Sequence, residues 1–225
     1  MTDHAARIRH SWQTNAAAWT RAVREQRIES RRLVTDAAIL GAIADGPAQR
    51  VLDIGCGEGW LCRALAGQGR QCVGVDASAP LIDAARAAGG ARFEVMDYAA
   101  LVASGATLGQ FDALVCNFAL LDDHPAPLLG ALRDRLVPGG RLLIQTVHPW
   151  TAGGDEPYAD GWRLETFTAF GGDFSTPMPW YFRTLESWLA LLAASGWRLR
   201  QLREPRHPET GQPCSLLLEL QPVVG

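Results

Sequence analysis

The feature that most constrains this chain is a short segment in which an apolar strand meets a helix through three closely spaced glycines. Residues 51–59 read Val-Leu-Asp-Ile-Gly-Cys-Gly-Glu-Gly. A turn of this kind needs backbone angles that glycine adopts readily, and the missing side chains let a ligand approach the main chain. The segment therefore predicts an α/β fold whose first strand ends at a ligand-binding loop.

Short apolar runs alternate with helical stretches through the centre of the chain. The predicted strands cover 51–54, 72–75, 92–95, 111–116 and 141–147, and the predicted helices between them cover 59–67, 79–88 and 126–136. Pro138, Gly139 and Gly140 are expected to end the last of these helices. Alternation of this kind favours a doubly wound, mostly parallel sheet.

A chain of 225 residues is expected to form a single domain. Its predicted parts are an N-terminal helical cap at 1–46, a cofactor-binding core at 47–147, an insertion over the active site at 148–183, and a C-terminal helix with strands at 184–225. The last part divides into a helix at 184–195 and strands at 197–202 and 215–220. Gly, Pro and aromatic residues in the insertion indicate a structured segment and not a flexible linker.

Composition excludes several classes of function. The 21 basic side chains are all arginine, which excludes Schiff-base chemistry on a lysine amine. A net charge of -3 offers no general attraction to nucleic acid, so we do not expect nucleic acid as a partner. The five cysteines lack the C-x-x-C spacing of a redox or zinc site, so we expect reduced thiols, a cytoplasmic location and no metal. No apolar run approaches the roughly 20 residues that cross a membrane, and the arginine-rich N-terminus is interpreted as mature protein.

The glycine spacing and the charges beside the loop distinguish between two classes of cofactor. A dinucleotide fingerprint has a third glycine three residues after the second, and that position is Trp60 here. Asp53 and Glu58 would repel a phosphate and attract a sulfonium or an ammonium group. The loop therefore favours S-adenosylmethionine over NAD, with Asp53 among the expected contacts.

Polar and aromatic side chains stand at the ends of the next three predicted strands. Asp76 follows the loop by about twenty residues, where a carboxylate accepts ribose hydroxyls in nucleotide-binding folds. Asp97 is expected to accept the adenine amino group, and Tyr98 to border the base. Ligands bind outside the carboxyl ends of parallel strands. The strand-end residues expected to contact the cofactor are Asp76, Ala77, Asp97, Tyr98, Asn117 and Phe118.

Residues 51–59, 73–76, 97, 114–121 and 136–144 resemble, in order, the motifs of class I S-adenosylmethionine-dependent methyltransferases. The resemblance covers about residues 50–147. It implies a seven-stranded sheet whose antiparallel last strand is the run at 215–220. It also implies roles for individual residues: Gly55, Cys56, Gly57 and Gly59 hold the methionine part of the cofactor, Asp76 the ribose and Asp97 the adenine. S-adenosylhomocysteine would be the product.

Aromatic residues are concentrated in the cap and in the insertion, which are free to build an acceptor pocket. Such rings can hold a sulfonium by cation–π attraction or stack on a flat acceptor, and the alternative for each single ring is that it packs the insertion onto the sheet. The segment around Tyr181 resembles small-molecule methyltransferases in which an aromatic-Arg-Thr-Leu sequence precedes the last helix. The predicted acceptor contacts are Trp12, Trp150, Trp180, Tyr181 and Arg183, and Trp19 is a predicted cofactor contact.

A general base is predicted at His148, directly after the fifth strand, with His124 as a weaker candidate and a structural role as the alternative for both. Asp122 and Asp123 are candidate helix-start residues. The predicted function is methyl transfer to an O or N atom of a small-molecule acceptor by in-line displacement. A protein or RNA acceptor, a non-catalytic S-adenosylmethionine sensor and an NAD-linked oxidoreductase remain as alternatives. A monomer or homodimer is expected.

Overall fold

The computed structural model describes residues 3–154 and 156–223. Its strands are β1 (Arg50–Ile54), β2 (Gln71–Asp76), β3 (Arg92–Val95), β4 (Phe111–Asn117), β5 (Leu136–Thr146), β6 (Gly161–Glu165), β7 (Met178–Phe182), β8 (Trp197–Arg203) and β9 (Leu216–Pro222). Seven of them form one sheet in the order β3-β2-β1-β4-β5-β9-β8, and β6 pairs with β7 in a separate two-stranded sheet.

Strand direction in the large sheet follows the doubly wound pattern. β9 runs antiparallel to both β5 and β8, and the other neighbouring pairs are parallel. This confirms the predicted seven-stranded sheet with an antiparallel last strand. Because parallel strands end at the same edge, Ile54, Asp76 and Asn117 bring the chain to one side of the sheet, where a crevice forms.

Helices cover both faces of this sheet. They are α1 (His4–Thr14), α2 (Ala16–Arg24), α3 (Asp36–Ala44), α4 (Trp60–Gly67), α5 (Ala79–Ala88), α6 (Tyr98–Ser104), α7 (Ala126–Leu132) and α8 (Leu185–Ala194). Alternate residues of a strand point to opposite faces. Val51 accordingly packs with α3, α4 and α5, whereas Leu52 and Ile54 pack with α6, α7 and α8. The central strands are therefore apolar on both sides.

The N-terminal cap is broken into short helices where the sequence suggests one continuous pattern. Asn15 separates α1 from α2, and a π-helical segment at Arg31–Thr35 precedes α3. The Asn15 side chain donates to the Thr176 carbonyl (2.7 Å) and accepts from the Ser175 N–H (3.0 Å). Asparagine side chains that bond backbone groups compete with helix continuation, which accounts for the break.

The insertion after β5 folds into an antiparallel hairpin of β6 and β7. Trp162 pairs with Tyr181 across this hairpin, and a single 3-10 turn at Thr168–Phe170 lies in the connection between the strands. The hairpin packs against α1, so that the cap and the insertion meet over the carboxyl edge of the large sheet. Among the described residues, no helix combines the length and apolar character required to traverse a bilayer.

The structure differs from the predicted elements at two places in the core. The sequence pattern missed α6, whose start is marked by Asp97 accepting from the Ala100 N–H (2.8 Å). The predicted helix at 126–136 ends at Leu132 and continues as a 3-10 turn to Arg135. β5 already begins at Leu136, so the Pro-Gly-Gly sequence lies inside a strand, next to a register shift between β4 and β5.

Candidate active site

A cavity of about 550 Å³ lies at the carboxyl edge of the sheet, between the strand ends, the cap and the hairpin. Most of the sequence-predicted contacts line it. They are Trp12, Trp19, Gly55, Cys56, Gly57, Asp76, Ala77, Asp97, Tyr98, Asn117, Phe118, Trp180, Tyr181 and Arg183. Four predicted site residues do not line it, namely Asp53, Gly59, His148 and Trp150.

The glycine loop forms the floor of the cavity. Gly55, Gly57 and Gly59 have backbone φ angles of 75°, 56° and 82°, which residues other than glycine rarely adopt. A Cβ atom on Gly55 would lie 2.5 Å from the Ala119 side chain, and one on Gly59 would lie 2.6 Å from the Phe93 ring. Gly59 therefore packs the first turn of α4 against β3 and does not face the cavity, whereas Gly55 and Gly57 present bare backbone to a ligand.

Asp76 at the end of β2 is held by two backbone donors. Its Oδ2 accepts from the Gly57 N–H (2.9 Å) and its Oδ1 from the Ser78 N–H (2.8 Å). Burial raises the pKa of Asp76, and these two hydrogen bonds lower it in part. A carboxylate can accept about four hydrogen bonds. Asp76 therefore keeps accepting capacity for a ligand in the cavity that it lines.

Asp97 and Tyr98 close the neighbouring wall. Asp97 uses one carboxylate oxygen to cap α6 and leaves the other without a partner in the described part of the chain. The Tyr98 hydroxyl donates to the Ala119 carbonyl (2.6 Å), and burial raises the pKa of this phenol well above its usual value. Tyr98 is therefore a neutral, fixed wall beside the site that the resemblance assigns to adenine.

The two acidic residues beside the glycine loop do not act on the cavity as predicted. Burial raises the pKa of Asp53 to about 7, with a further contribution from Asp76. The Glu58 side chain is fully buried and ion-paired with Arg24 (2.8 Å) and Arg63 (2.6 Å). The predicted attraction of a sulfonium by Glu58 is therefore wrong, and Asp76 and Asp97 supply the carboxylates that line this half of the cavity.

Asn117 at the end of β4 is oriented by Gln145 on the neighbouring strand. The fully buried Gln145 donates from Nε2 to the Thr35 carbonyl (3.0 Å) and to Asn117 Oδ1 (3.0 Å). Because a carbonyl only accepts, the Thr35 contact fixes which end of the Gln145 amide faces Asn117. The Asn117 oxygen is thereby occupied, and its N–H₂ group remains as the donor on the side of the cavity.

Aromatic rings from the cap and the hairpin form the roof. Trp12 lies edge-on to Trp19, with ring centroids 5.1 Å apart, and edge-on to Phe167 at 5.9 Å. Trp19 in turn meets Phe170 at 5.9 Å. Phe167 and Phe170 are additional lining residues that the sequence placed in the insertion without assigning them to the site. The roof therefore depends on contacts between segments more than 140 residues apart.

Arg183 lies at the end of the cavity that the hairpin lines with Trp180 and Tyr181. Its Nη1 donates to the Asp122 carbonyl (2.9 Å), and its guanidinium carbon lies 4.7 Å from the Tyr181 ring centroid and 5.3 Å from that of Trp188. Burial lowers the pKa of Arg183. Trp180 lines the same end. Three of the predicted acceptor contacts are thus brought together here.

Trp150 and His148 are placed away from the cavity, contrary to the predictions for both. Trp150 is 78% exposed. His148 is 7% exposed, its Nε2 contacts Glu204 (2.9 Å), and its Nδ1 accepts from the Trp150 N–H (3.3 Å). Because both ring nitrogens already have partners, His148 fastens the start of the insertion to the end of β8. His124 is exposed and also lies outside the lining.

Four charged lining residues were not assigned to the site from the sequence, namely Arg9, Arg31, Asp122 and Glu165. Asp122 follows β4, and burial raises the pKa of its carboxyl group, with Asp123 adding to the shift. Arg31 lies over the Trp60 ring at 4.6 Å and is paired with Asp36 (3.0 Å). The sequence offered Asp122 as a helix start, and nothing in the local pattern marks Arg31. In the ranges that the structure describes, no group of three His, Cys, Asp or Glu residues is arranged to hold a metal.

Curated relatives match this chain over its central part. A ubiquinone biosynthesis O-methyltransferase of Xylella fastidiosa is 37% identical over 105 residues, which are 44% of this chain and 42% of that protein. The enzyme of the same name from Xanthomonas campestris is 34% identical over 107 residues, 45% of this chain and 44% of that protein. The match therefore spans less than half the length of these relatives.

Solved structures match over almost the whole chain. A 1,6-didemethyltoxoflavin-N1-methyltransferase of Burkholderia thailandensis superposes with a TM-score of 0.67 at 22% identity, covering 99% of this chain and 90% of that one. The magnesium protoporphyrin IX methyltransferase of Synechocystis gives 0.66 at 18% identity, covering 97% and 99%. At this level of identity the likeness shows a shared fold.

A model of the methyltransferase domain family matches residues 21–202. The match begins in α2, contains the glycine loop and the strands that end at the cavity, and extends into β8. It covers well over half of the chain. The chain therefore belongs to the methyltransferase-domain family and has the fold of the class I S-adenosylmethionine-dependent enzymes.

Proposed function

We propose that this protein transfers the methyl group of S-adenosylmethionine to an O or N atom of a small-molecule acceptor. The observation that carries the proposal is one continuous cavity in which the glycine loop and Asp76 adjoin an aromatic chamber ending at Arg183. Its volume of about 550 Å³ is within the range of about 300–1,000 Å³ usual for small-molecule sites. Cofactor and acceptor would therefore share one compartment.

The residues of the cavity floor suit the cofactor. Gly57 has no neighbour closer than Trp19 Nε1 at 3.5 Å to the position of an added Cβ, so its backbone borders open space. Asp76 keeps accepting capacity for the two ribose hydroxyls, and Asp97 retains one oxygen for an amino group. We propose that Gly55 and Gly57 border the methionine part, and that Trp19 covers it from the cap.

When bound, S-adenosylmethionine supplies a methyl group on a sulfonium leaving group, so the chemistry needs alignment and exclusion of water. The roof of Trp12, Trp19 and Phe167 provides the exclusion. An O–H acceptor also needs a group that takes up its proton. We propose the Asp122 carboxylate for this role, because it lines the acceptor end and burial raises the pKa of its carboxyl group.

A small acceptor is favoured over a protein or RNA because the cap and the hairpin meet above the cavity. Asn15, 1% exposed, joins them through Thr176 and Ser175. This junction reduces the open surface around the cavity on which a macromolecular substrate could dock. The names of similar proteins refer to the biosynthesis of ubiquinone, to didemethyltoxoflavin and to magnesium protoporphyrin IX, and all three compounds are small molecules.

We also propose a cytoplasmic location, which the free cysteines support.

The proposal is tested by calorimetric titration with S-adenosylhomocysteine, followed by measurement of S-adenosylhomocysteine release from S-adenosylmethionine with a panel of small phenols, carboxylates and heterocyclic amines. We expect binding, and turnover with at least one acceptor class. A protein that prefers NAD to S-adenosylhomocysteine would overturn the cofactor assignment. The acceptor assignment would be overturned if the protein binds S-adenosylhomocysteine, methylates none of the small acceptors and methylates a protein or RNA fraction.

A further inference from the structure

Two arginines of the hairpin lie against aromatic rings but differ in how their charges are paired. All three guanidinium nitrogens of Arg163 in β6 have partners. Nη1 donates to the Ala152 carbonyl (3.0 Å) and Nη2 to the Pro157 carbonyl (3.0 Å). Nε lies 3.7 Å from a Glu156 carboxylate oxygen. Its guanidinium carbon stands 3.5 Å from a ring centroid in β7. Arg163 does not line the cavity, so it is a complete structural unit.

Arg183, which follows β7 directly, is the opposite case. It is 5% exposed and, among the described residues, makes one hydrogen bond, from Nη1 to the Asp122 carbonyl. Within residues 3–154 and 156–223 it forms no ion pair with a carboxylate. Burying a charge without a partner is unfavourable, because the charge loses its hydration and gains no opposite charge in return. The site is therefore electrostatically incomplete.

The uncompensated charge faces the ligand compartment. Arg183 lines the cavity, and the Tyr181 and Trp188 rings hold its guanidinium group in place. Since Nη1 is bound to a backbone carbonyl, the edge formed by Nε and Nη2 remains as a planar pair of donors. A pair of this geometry matches the two oxygens of a carboxylate.

The carboxyl groups near Arg183 leave this edge available. Asp160 is bound to the Thr184 N–H (2.8 Å) and to the Ser187 hydroxyl. Burial lowers the pKa of Arg183, and Tyr181, Asp160, Asp123 and Asp122 raise it in part. Asp122 and Asp123 also form a carboxyl pair in which Asp123 raises the pKa of Asp122. The nearby acids thus attract Arg183 without forming its ion pair.

We infer that Arg183 binds a carboxylate of the methyl acceptor, and that the acceptor is a flat aromatic or conjugated acid. The inference rests on the proposed function, because it places the acceptor in the aromatic end of the same cavity. The rings around Arg183 supply stacking surfaces for a flat molecule. The carboxylate on Arg183 anchors one end of that molecule, and the acceptor atom points toward the glycine loop.

The test is calorimetric titration with three flat acids, benzoate, 2-naphthoate and anthracene-2-carboxylate, and with the neutral amide of each. The titrations are run with and without saturating S-adenosylhomocysteine, on the unmodified protein, Arg183→Gln, Arg183→Lys and Arg163→Gln. We expect at least one acid to bind ten-fold or more tightly than its amide. Arg183→Gln should abolish that preference, Arg183→Lys should retain part of it, and Arg163→Gln, the matched control on the same hairpin, should leave it intact.

Equal binding of acids and amides across the series, or no binding of any acid, would overturn the inference. So would an acid preference that survives in Arg183→Gln or disappears equally in Arg163→Gln. S-adenosylhomocysteine affinity is measured in every variant, so that loss of folding is seen separately. Failure of the unmodified protein to bind S-adenosylhomocysteine would overturn the proposed function, whereas the titrations without it still report on Arg183.

Discussion

The two halves of the cavity are built in different ways. The half that we propose for the cofactor, called the cofactor half, consists of backbone at strand ends and of carboxylates held by backbone N–H groups, as at Asp76 and Asp97. The half that we propose for the acceptor, called the acceptor half, consists of side chains from the cap and the hairpin, which meet through Asn15 and the roof of Trp12, Trp19 and Phe167. The first half is specified by local sequence, whereas the second depends on contacts between distant segments.

The halves also differ in how their charges are compensated. Both carboxylate oxygens of Asp76 have backbone donors, and Glu58 beneath the loop is paired with two arginines. At the acceptor end, the ionisable side chains of Asp122 and Arg183 form no ion pair with each other. Ionisable groups of this kind are typical of sites that handle protons and charged ligands. This difference supports our proposal that the chemistry takes place near Asp122 and Arg183, and that the glycine-loop half recognises the cofactor.

The largest effect is expected from Asp122→Asn. If Asp122 accepts the acceptor's proton, this substitution should lower kcat/KM for an O–H acceptor by about 10²–10⁴-fold, with little change in S-adenosylhomocysteine affinity. Because burial and Asp123 raise the pKa of Asp122, the acidic limb of the kcat/KM profile should lie above the usual range for aspartate. The limb should be absent in the variant.

Asp123→Asn is the matched control for this experiment. Asp123 is exposed and raises the pKa of Asp122, so its removal should move the acidic limb to lower pH without abolishing activity. Full activity of Asp122→Asn on an O–H acceptor would show that the acceptor end holds no general base. The distinction drawn between the two halves would then fail.

A large effect on stability is expected from Asp53→Asn. Burial raises the pKa of Asp53 from 3.8 to about 7, so between these pH values the folded state holds a proton that the unfolded state releases. Stability therefore falls as pH rises through this window, by on the order of 4 kcal/mol when complete. The variant should match the unmodified protein near pH 4 and exceed its free energy of unfolding near pH 8, as measured by urea denaturation.

The exposed Asp83 provides the control for this pH dependence, since its side chain is 73% exposed. Asp83→Asn should leave the slope of stability against pH unchanged. An Asp53→Asn variant with the same slope as the unmodified protein would contradict the assignment. It would mean that Asp53 is charged in the folded state at neutral pH, as the charge argument from the sequence assumed.

For Asp76→Ala we expect a loss of S-adenosylhomocysteine affinity of about 100-fold, because buried hydrogen bonds to a carboxylate contribute about 1.5–3 kcal/mol each. Asp112 is a close match at the opposite end of the sheet, where its Oδ2 accepts from the N–H groups of Gln49 (2.9 Å) and Arg50 (2.7 Å). Asp112→Ala should lower stability and leave affinity unchanged. Equal affinity losses in the two variants would point to a general loss of sheet structure.

The sequence predicts the cofactor half of the cavity better than the acceptor half. The doubly wound, mostly parallel sheet, the glycine loop and the placement of Asp76, Asp97 and Asn117 at one edge were predicted from residues close to each other in the chain. The missed helix α6 has a local signal as well, since Asp97 caps its first turn. Asp97 was interpreted only as a ligand contact, and a side chain with two oxygens can serve both roles.

The predictions are wrong at residues whose role depends on burial and on partners that are distant in the chain. His148 has the position of a general base along the chain, but Glu204, which is 56 residues away, occupies its Nε2. Glu58 stands beside the loop in sequence, and the fold turns its side chain toward Arg24 and Arg63. Asp122 lines the cavity and accepts through its backbone carbonyl from Arg183, which is 61 residues away. Spacing and composition describe only residue types and their neighbours in the chain, so these contacts could not be predicted from them.

The smallest effect is expected at the junction between the halves, from Asn15→Ala. Its lost hydrogen bonds to Thr176 and Ser175 should lower stability by about 1–2 kcal/mol and speed S-adenosylhomocysteine dissociation several-fold, as followed by tryptophan fluorescence, because the cap opens more readily. Arg21→Gln breaks an exposed ion pair with Asp173 across the same junction, and such pairs contribute only about 0–1 kcal/mol. If both variants release the ligand at the original rate, then the roof is held by its aromatic contacts, and the acceptor half is more independent of Asn15 than its hydrogen bonds indicate.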